Sequence, residues 1–335
     1  MTETSSNHKL AVVIPAFKPD FLAQTLACLA KQTDQRFNLY IGDDASPADI
    51  QAIAWSALGT RPFAFKRFEK NLGGTSLPRH WDRCVALSNE PWVWLFSDDD
   101  LMDDNCVAAF YKFLETSGDE ADVLRFDAWT VNEASRIVGL HSLHPDQETG
   151  LEFAYGYLMG CRHLFMQQHV FRRRAFDEAG GFLDLPLGWA TDAAAVIAMG
   201  RKTPIRRIPG ARVSWRCSRQ NITPDRSLKM RKEKLRADCL FLEWLKDQLQ
   251  TPRELLFEND DAAFLRAMDS YLLGRIATEG ALPALANWNL LSRTRTGIGH
   301  RSRVALLKHI AVAAVNDSFS ALEQAAKQLV GGSSK

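Results

Sequence analysis

Residues 92–102 have the sequence WVWLFSDDDLM, in which five apolar residues are followed by Ser97 and then by Asp98, Asp99 and Asp100. A short apolar run without polar alternation is typical of a strand that is buried on both faces. Three successive carboxylates after such a strand are unfavourable unless a positive group binds there. The stretch therefore predicts a buried strand whose carboxyl end binds a cation.

Strand-like and helix-like segments alternate around this stretch through the first third of the chain. The predicted strands are Leu10–Ile14, Phe37–Gly42, Phe63–Phe68, Trp92–Phe96 and Val123–Trp129. The predicted helices between them are Pro19–Lys31, Ser46–Leu58, Pro78–Leu87 and Asp103–Leu114. This alternation predicts an α/β fold with a mostly parallel sheet that is flanked by helices on both faces. Ligands of such sheets bind beyond the carboxyl ends of the strands, so the chemistry is expected there.

The rest of the chain has a different pattern. Residues 130–220 are less regular, and Arg206–Trp215 is predicted to form one or two short strands. From Ser227 onward the spacing of apolar residues is helical, and it predicts helices over Leu228–Leu249, Asp260–Ile276, Val304–Val315 and Phe319–Val330. We therefore predict a domain boundary near residue 222, with a sheet domain over 1–222 and a helical C-terminal region over 223–335.

Composition excludes several classes of protein. The 335 residues carry a formal net charge of +1, so a nucleic-acid-binding protein with a dominant basic face is not indicated. The six cysteines are scattered without a CxxC pair, which argues against a zinc site or a disulfide framework and favours a reducing cytoplasm. The polar start, Met1–His8, is unlike a signal peptide, and no apolar run reaches the ~18 residues of a spanning helix. We expect a cytoplasmic protein, either soluble or peripheral on the inner face of the membrane.

Polar clusters also follow the other predicted strands. Gly42–Ser46 is GDDAS, and Asn71–Gly74 is NLGG, with Arg79 further on. Carboxylate oxygens are the ligands that Mg²⁺ and Mn²⁺ prefer, and these ions usually complete their shells with water and substrate phosphates. Asp98–Asp100 therefore indicates a metal–diphosphate site. The alternative is that these acids only cap the helix predicted to begin near Asp103.

Four motifs in this order resemble a known family. They are VVIPAF (Val12–Phe17), IGDDAS (Ile41–Ser46), NLGG (Asn71–Gly74) with Arg79, and WLFSDDDLM (Trp94–Met102). Together they resemble glycosyltransferase family 2, whose GT-A fold is a Rossmann-like, mostly parallel sheet flanked by helices. FRRRAFDEAGGF (Phe171–Phe182) and GWATD (Gly188–Asp192) resemble that family's acceptor-side segment. The resemblance covers about residues 9–220 and implies a nucleotide-sugar half over 9–130 and an acceptor half over 131–222.

The resemblance implies a role for each residue that matches a motif. Nucleotide-sugar binding is assigned to Pro15, Ala16, Phe17, Asp44, Asn71, Gly73, Arg79 and Asp98. Asp44 would hydrogen-bond the base, Arg79 would face the base or the diphosphate, and Asp98 would contact the ribose. The metal, Mn²⁺ or Mg²⁺, would bind Asp99 with Asp100 beside it. Ser97 departs from the family, because the pattern has its first acid there.

Asp192 matches the acid that serves as the family's catalytic base. It would accept the proton of the acceptor hydroxyl as that oxygen attacks the anomeric carbon. One base without an enzyme nucleophile implies a single displacement with inversion. The alternative is that Asp192 is an ordinary acid at the start of a helix beside Thr191, and then Asp184 and Glu178 are the next candidates for the base.

The expected partners are a nucleotide-diphosphate sugar, taken as a UDP-sugar from the family's most frequent donor, and a saccharide or lipid-linked acceptor. No nucleic-acid partner is expected. The expected setting is the assembly of a bacterial surface polysaccharide or glycolipid, which rests on analogy with the family.

Two other functions stay open. A sugar-phosphate nucleotidyltransferase has a similar sheet, but it would need a glycine-rich phosphate loop where this chain has Ala16–Pro19, without glycine. A non-catalytic relative that binds a sugar nucleotide or a glycan is compatible with Ser97, and with Cys217 at a position where the family often has a basic residue or histidine. Metal-dependent turnover of a donor separates an enzyme from a binding protein.

The C-terminal region contains a basic amphipathic stretch. Between Gly280 and Asn316 no acidic residue occurs, while the basic residues are Arg293, Arg295, Arg301, Arg303 and Lys308. The apolar residues Val304, Leu307, Ile310, Ala311 and Ala314 are predicted to share one helical face. Such a helix is attracted to anionic lipid, so peripheral membrane contact is one prediction. Packing against the rest of the protein is the alternative.

Overall fold

A computed structural model describes residues 8–117, 120–250, 261–293, 307, 308, 310–315 and 317. The contacts within the chain define two compact units. The sheet unit comprises residues 1–184 and 191–221, and the helical unit comprises residues 185–190 and 222–335. These units are defined by contacts alone, whereas a domain is also expected to fold independently. The domain boundary near residue 222 therefore stays a prediction.

The sheet unit is built on one sheet, which has ten strands within the described residues. They are β1 Leu10–Ala16, β2 Phe37–Asp43, β3 Ala64–Arg67, β4 Trp92–Leu95, β5 Leu101–Met102, β6 Val123–Val131, β7 Ile137–Leu140, β8 Gln147–Glu148, β9 His169–Arg172 and β10 Ile205–Arg216. The main path runs β3-β2-β1-β4-β9-β6-β10-β5, with β7 on β6 and β8 on β10. Strands β1–β4 are parallel to one another. Strand β9 is antiparallel to both β4 and β6, so β6 runs in the same direction as β1–β4, and β10 is parallel to β6. The predicted mostly parallel sheet is confirmed.

Seven helices of the sheet unit are described. They are α1 Leu22–Ala30, α2 Ile50–Leu58, α3 Leu77–Val85, α4 Cys106–Ser117, α5 Gly150–Leu158, α6 Arg173–Glu178 and α7 Thr191–Met199. Three of them, α1, α2 and α4, begin three or four residues later than the sequence suggested. For α2 the reason is that the Asp49 carboxylate accepts the backbone N–H of Ala52 at 2.9 Å, which caps the helix there. For α4 the reason is that the carboxylate of Asp103 accepts the backbone N–H of Arg212 at 2.9 Å and is held toward β10.

The central strands are buried because their side chains are apolar on both faces. Most of β1 and all of β4 are inaccessible to solvent. The ring of Trp94 stacks on Phe126 with centroids 4.8 Å apart, and its indole N–H donates to the carbonyl of Gln167 at 2.7 Å. Each fully buried large apolar side chain contributes about 1.5–3 kcal/mol to stability. This packing fixes the ends of β1, β2 and β4, which carry the polar motifs.

The helical unit contains α8 Leu228–Gln250, α9 Asp261–Glu279, α10 Ala281–Ala286 and α11 Trp288–Arg293. Residues 307, 308 and 310–315 are also helical, whereas Phe319–Val330, a predicted helix, lies outside the described residues. Ile310 is buried, but Leu307 is 51% exposed, so the predicted apolar face is not uniformly covered. Among the described residues, none of the helices combines the length and the apolar character needed to cross a bilayer.

Candidate active site

The carboxyl ends of β1, β2 and β4 meet through backbone hydrogen bonds. The carbonyl of Ala16 accepts the backbone N–H of Asp44 at 2.9 Å. The next two backbone N–H groups, of Phe17 and Lys18, both donate to Oδ2 of Asp98, at 2.9 and 2.8 Å. The loop after β1 therefore bonds to both aspartate motifs, at Asp44 and at Asp98. The parallel sheet predicted that these strand ends lie at the same edge.

The three aspartates after β4 are buried, with 1–5% of each residue exposed. Two cations lie beside them. The Lys18 ammonium is 2.5 Å from Oδ2 of Asp99 and 3.8 Å from Oδ1 of Asp98. Arg216, at the end of β10, donates its backbone N–H to Oδ1 of Asp100 at 2.7 Å and its Nε–H to the carbonyl of Asp99 at 2.6 Å. Three buried carboxylates thus face two positive side chains.

The electrostatics of this cluster leave negative charge in excess. Burial raises the pKa values of Asp98 and Asp100, and the neighbouring charge of Asp99 raises both further. Burial also lowers the pKa of Lys18, but the nearby charges of Asp98 and Asp99 outweigh it, so this pKa lies above its usual value. A further cation would relieve the repulsion that the acids retain.

The carboxylates of this cluster fit a hard divalent cation. Described hydrogen bonds to Asp98 and Asp99 reach only Oδ2 of each, so both Oδ1 atoms are free of hydrogen-bond donors within the described part of the chain. No group of three or more His, Cys, Asp or Glu side chains in that part is arranged to hold a metal by itself. A cation bound here would therefore take its remaining ligands from water and from a substrate.

Asp44 organises the loop at Asn71–Gly74. Its buried carboxylate accepts the backbone N–H groups of Leu72 and Gly73, each at 2.8 Å, and it also pairs with the guanidinium of Arg83. A Cβ at position 73 would lie 2.7 Å from Oδ2 of Asp44, so the loop requires a glycine for this close approach. Asn71 closes the turn, because its Oδ1 accepts the backbone N–H of Gly74 at 2.6 Å.

Other residues named from the sequence lie around this centre. Pro15 is half-buried at the end of β1, and Phe17 is 40% exposed, which leaves its ring available to a ligand. The Arg79 side chain is 69% exposed and its Nε lies 2.9 Å from Oδ2 of Asp184. Within the described contacts Arg79 does not touch the Asp98–Asp100 cluster, so the structure does not bring these two predicted parts of the site together.

Asp192 lies in the first turn of α7. Burial raises the pKa of its carboxyl to about 6, and its Oδ1 accepts the backbone N–H of Ala193 at 2.9 Å. The two other acids proposed for the base are engaged: Asp184 pairs with Arg79, and the Glu178 carboxylate is 2.6 Å from Nζ of Lys202. Of the three acids, Asp192 alone makes no ion pair with a described residue.

Sequence reasoning missed several groups at the site, namely Lys18, Arg83, Arg216 and Asn221. For Arg216 the sequence does contain a signal, because it adjoins Cys217, the position where the resemblance implies a basic residue or histidine. It is Arg216, and not Cys217, that makes the contacts to Asp99 and Asp100. For Lys18 the sequence contains no such signal, because only folding brings it close to Asp98 and Asp99.

The family model of glycosyl transferase family 2 matches residues 11–179, which is half of the chain. This chain belongs to glycosyl transferase family 2. The match includes β1, β2, β4 and Asp98–Asp100, and it ends before Asp192. No curated protein sequence is similar enough to this chain to count as a relative.

Solved structures resemble this family 2 protein over most of its length. Residues 1–349 of S. aureus TarS in complex with UDP-GlcNAc align with 93% of this chain and 92% of that chain, at 15% identity and a TM-score of 0.55. The same protein in complex with UDP gives a TM-score of 0.52 at 15% identity, with the same shares of both chains covered. The mannosyltransferase PcManGT from Pyrobaculum calidifontis, in complex with GDP-Man and Mn²⁺, covers 93% of this chain and 87% of that chain at 14% identity and a TM-score of 0.51. At these identities the likeness concerns the fold, which is GT-A.

Proposed function

We propose that the protein is an inverting glycosyltransferase that moves a sugar from a nucleotide-diphosphate donor, a UDP-sugar, to an acceptor hydroxyl. One observation carries the proposal: the ends of β1, β2 and β4 meet around Asp98–Asp100, where two carboxylate oxygens have no described hydrogen-bond donor. Similar structures that contain UDP, UDP-GlcNAc or GDP-Man support a nucleotide-sugar ligand. The same similarity makes a nucleotidyltransferase the weaker alternative.

The acidic cluster would hold Mn²⁺ or Mg²⁺ through Asp99, with Asp98 or Asp100 beside it. When bound, the ion would offset the charge that grows on the departing diphosphate. The chain supplies two cationic side chains of its own at the same place: the Lys18 ammonium pairs with Asp99, and the Arg216 guanidinium donates to the carbonyl of Asp99. Lys18 has a flexible stem and an ammonium that can also pair with phosphate.

Asp192 would act as the base in this reaction. A base works best when its pKa lies near the working pH, and burial raises the pKa of this carboxyl to about 6. It would take the proton of the acceptor hydroxyl while that oxygen attacks the anomeric carbon. No enzyme nucleophile is invoked, so the sugar changes configuration in a single displacement.

The test of this function is turnover of a donor panel. Nucleoside diphosphate release would be measured from UDP-glucose, UDP-GlcNAc, UDP-galactose, GDP-mannose and dTDP-rhamnose, each with Mn²⁺ and after complete chelation. We expect a UDP-sugar to be used best, and only with the metal. Equal rates after chelation would contradict the metal, and preference for another nucleotide would contradict the uridine assignment only.

A non-catalytic relative is the second candidate. Ser97 replaces an acid of the family pattern, and the Lys18 ammonium already occupies Oδ2 of Asp99. Both features would lower the affinity for a metal. Binding of UDP and UDP-GlcNAc in calorimetry, together with no release from any donor of the panel, would favour this candidate.

The nucleotide pocket supplies a separate prediction. Asp44→Asn should weaken UDP binding by roughly tenfold, because the neutral side chain holds the loop at Leu72 and Gly73 less firmly. Arg79→Met should also weaken it, since a cation near the base or the diphosphate is lost. Calorimetric titration of UDP measures both effects. Asp49→Asn is the matched control, because Asp49 is exposed and asparagine caps α2 equally well. An unchanged dissociation constant in both site variants would remove these residues from the pocket.

We further propose that the protein works at the inner face of a bacterial membrane, in the assembly of a surface polysaccharide or glycolipid. The acid-free stretch of the helical unit carries five Lys or Arg residues, of which Arg295, Arg301 and Arg303 lie outside the described residues. The same unit exposes the apolar side chains of Leu282, Leu285, Leu307, Val312 and Val315, each more than half exposed. Basic charge beside exposed apolar side chains complements an anionic lipid surface, where each basic residue adds about 1 kcal/mol.

Sedimentation with vesicles tests the membrane proposal. The full chain should sediment with phosphatidylglycerol-containing vesicles and much less with phosphatidylcholine alone. The double variant Arg301→Glu/Arg303→Glu should lose most of this binding. Lys66→Glu/Lys112→Glu is the control, because it changes the net charge equally at exposed positions of the sheet unit. If both double variants sediment like the wild type on both vesicle types, the stretch does not bind lipid.

A further inference from the structure

Residues 185–190, which we name the approach segment, precede Asp192 in the chain but belong to the helical unit. The backbone of this segment is unusual. Leu187 and Ala190 have φ angles of 62° and 61°, in the left-handed region that residues with a side chain rarely adopt. Such conformations persist only where surrounding contacts hold them. Surrounding contacts therefore maintain the shape of the approach segment.

Trp189 is the anchor of the approach segment. Its indole Nε1–H donates to Oδ1 of Asp238 on α8 at 3.0 Å. The Nζ atom of Lys234 on α8 and the Cζ atom of Arg275 on α9 each lie 5.0 Å from the centre of the indole ring. Cations at this distance from an indole are attracted to its face. The ring is thus held at its edge by a hydrogen bond and is flanked by two charges.

Asp238 is itself held rigidly. It is fully buried, and its Oδ1 also accepts the hydroxyl of Tyr271 at 2.7 Å. Its Oδ2 accepts Nε–H of Arg275 at 2.7 Å, while Nη2 of Arg275 donates to Glu279 at 2.7 Å. A buried carboxylate with three donors has one strongly preferred position.

Stability alone does not account for this arrangement. A buried ion pair is weak evidence of stability, because apolar side chains of similar volume often stabilise a core as well or better. Asp238 instead fixes the orientation of the Trp189 ring. Its hydrogen bond holds one edge of the ring in place, which an apolar contact would not do. Only Ala190 and Thr191 separate Trp189 from Asp192. Fixing Trp189 therefore restricts the backbone conformation that places the Asp192 carboxylate.

We propose that Asp238, supported by Arg275, is a positioning residue for the base: it fixes Trp189 and with it the backbone that leads into Asp192. The inference rests on the proposed role of Asp192. A base must meet its proton in the right geometry, and a shift of about 1 Å can cost up to ~10²-fold in rate. The helical unit then contributes to transfer through the chain segment that leads into Asp192.

The test compares Asp238→Asn with Asp247→Asn, which makes the same charge change at an exposed position of the same helix. The assay is nucleoside diphosphate release from whichever donor of the panel the wild type uses best. We expect Asp238→Asn to lower kcat roughly tenfold or more with little change in KM for the donor. The acid limb of its kcat profile should also move to lower pH, because a less confined Asp192 is better solvated. A purely structural role would reduce the active fraction and leave that limb in place.

A second variant guards against loss of folding. Trp189→Phe keeps an aromatic ring but removes the N–H donor, and Asp238 retains its bonds to Tyr271 and Arg275. It should change kcat and the acid limb in the same direction, with faster amide hydrogen exchange confined to peptides that cover residues 185–192. If Trp189→Phe and Asp247→Asn both match the wild type in kcat and in the acid limb, the inference is wrong. Full activity of Asp192→Asn would overturn the assignment of Asp192 as the base, and this inference with it. If Asp192→Asn is inactive but Asp238→Asn has normal activity, only this inference is wrong.

Discussion

Asp99→Ala should lower the rate of sugar transfer by about 10²-fold or more, while the protein stays folded. The lost carboxylate is the one proposed to bind the metal, and charge stabilisation by a bound cation is worth several kcal/mol in such reactions. Folding should survive, because Lys18 can still pair with Asp98, Arg216 still donates its backbone N–H to Asp100, and the repulsion among the acids decreases. Nucleoside diphosphate release from the preferred donor measures the loss.

A direct measurement of the metal separates this prediction from a general loss of activity. Mn²⁺ binding, followed by electron paramagnetic resonance in the presence of UDP, should be strong in the wild type and weak in Asp99→Ala. Asp104→Ala is the control, since Asp104 is exposed five residues further along the chain. If Asp99→Ala binds Mn²⁺ as the wild type does, Asp99 is not a ligand.

Asp192→Asn should reduce transfer by ~10²-fold or more and leave UDP binding unchanged. Asparagine has nearly the same shape but cannot accept the proton of the acceptor hydroxyl. Asp184→Asn and Glu178→Gln serve as matched controls, because those two acids already pair with Arg79 and Lys202. Loss of turnover in either of them, with normal turnover in Asp192→Asn, would move the base to that residue.

The pH dependence of the wild type gives the same prediction an independent check. With a pKa of about 6, the Asp192 carboxyl is mostly ionised at pH 7 and mostly protonated at pH 5. Only the ionised form accepts a proton, so kcat should decrease as the pH falls through about 6. A profile that stays flat down to pH 5 would argue against Asp192 as the base.

The strands and helices of the first third of the chain could be predicted from sequence because their signals are local. The apolar run of Trp92–Phe96 is buried whatever lies beside it, and the acids that follow must lie at the edge of the sheet. The strand β9 could not be predicted in this way. It has only four residues, including His169 and Arg172, and it exists because β4 and β6 pair with it from distant parts of the chain.

The same distinction applies to the candidate site. Asp98–Asp100 is visible as a motif, but the partners of these acids come from the loop after β1 and from the end of β10. Lys18 precedes a proline in a stretch without any charge pattern, so nothing local announces that it contacts Asp99. The sequence alone does not decide whether Trp189 stacks on a sugar or packs in the core. Its bond to Asp238, 49 positions later, is a property of the folded chain.

The membership of residues 185–190 in the helical unit has a consequence for recombination between relatives. A single crossover near residue 222 would bring together an approach segment from one parent and helices α8 and α9 from another. The indole of Trp189 would then meet foreign residues in place of Asp238, Lys234 and Arg275. Exchanges that preserve function should carry residues 185–190 along with everything after 221.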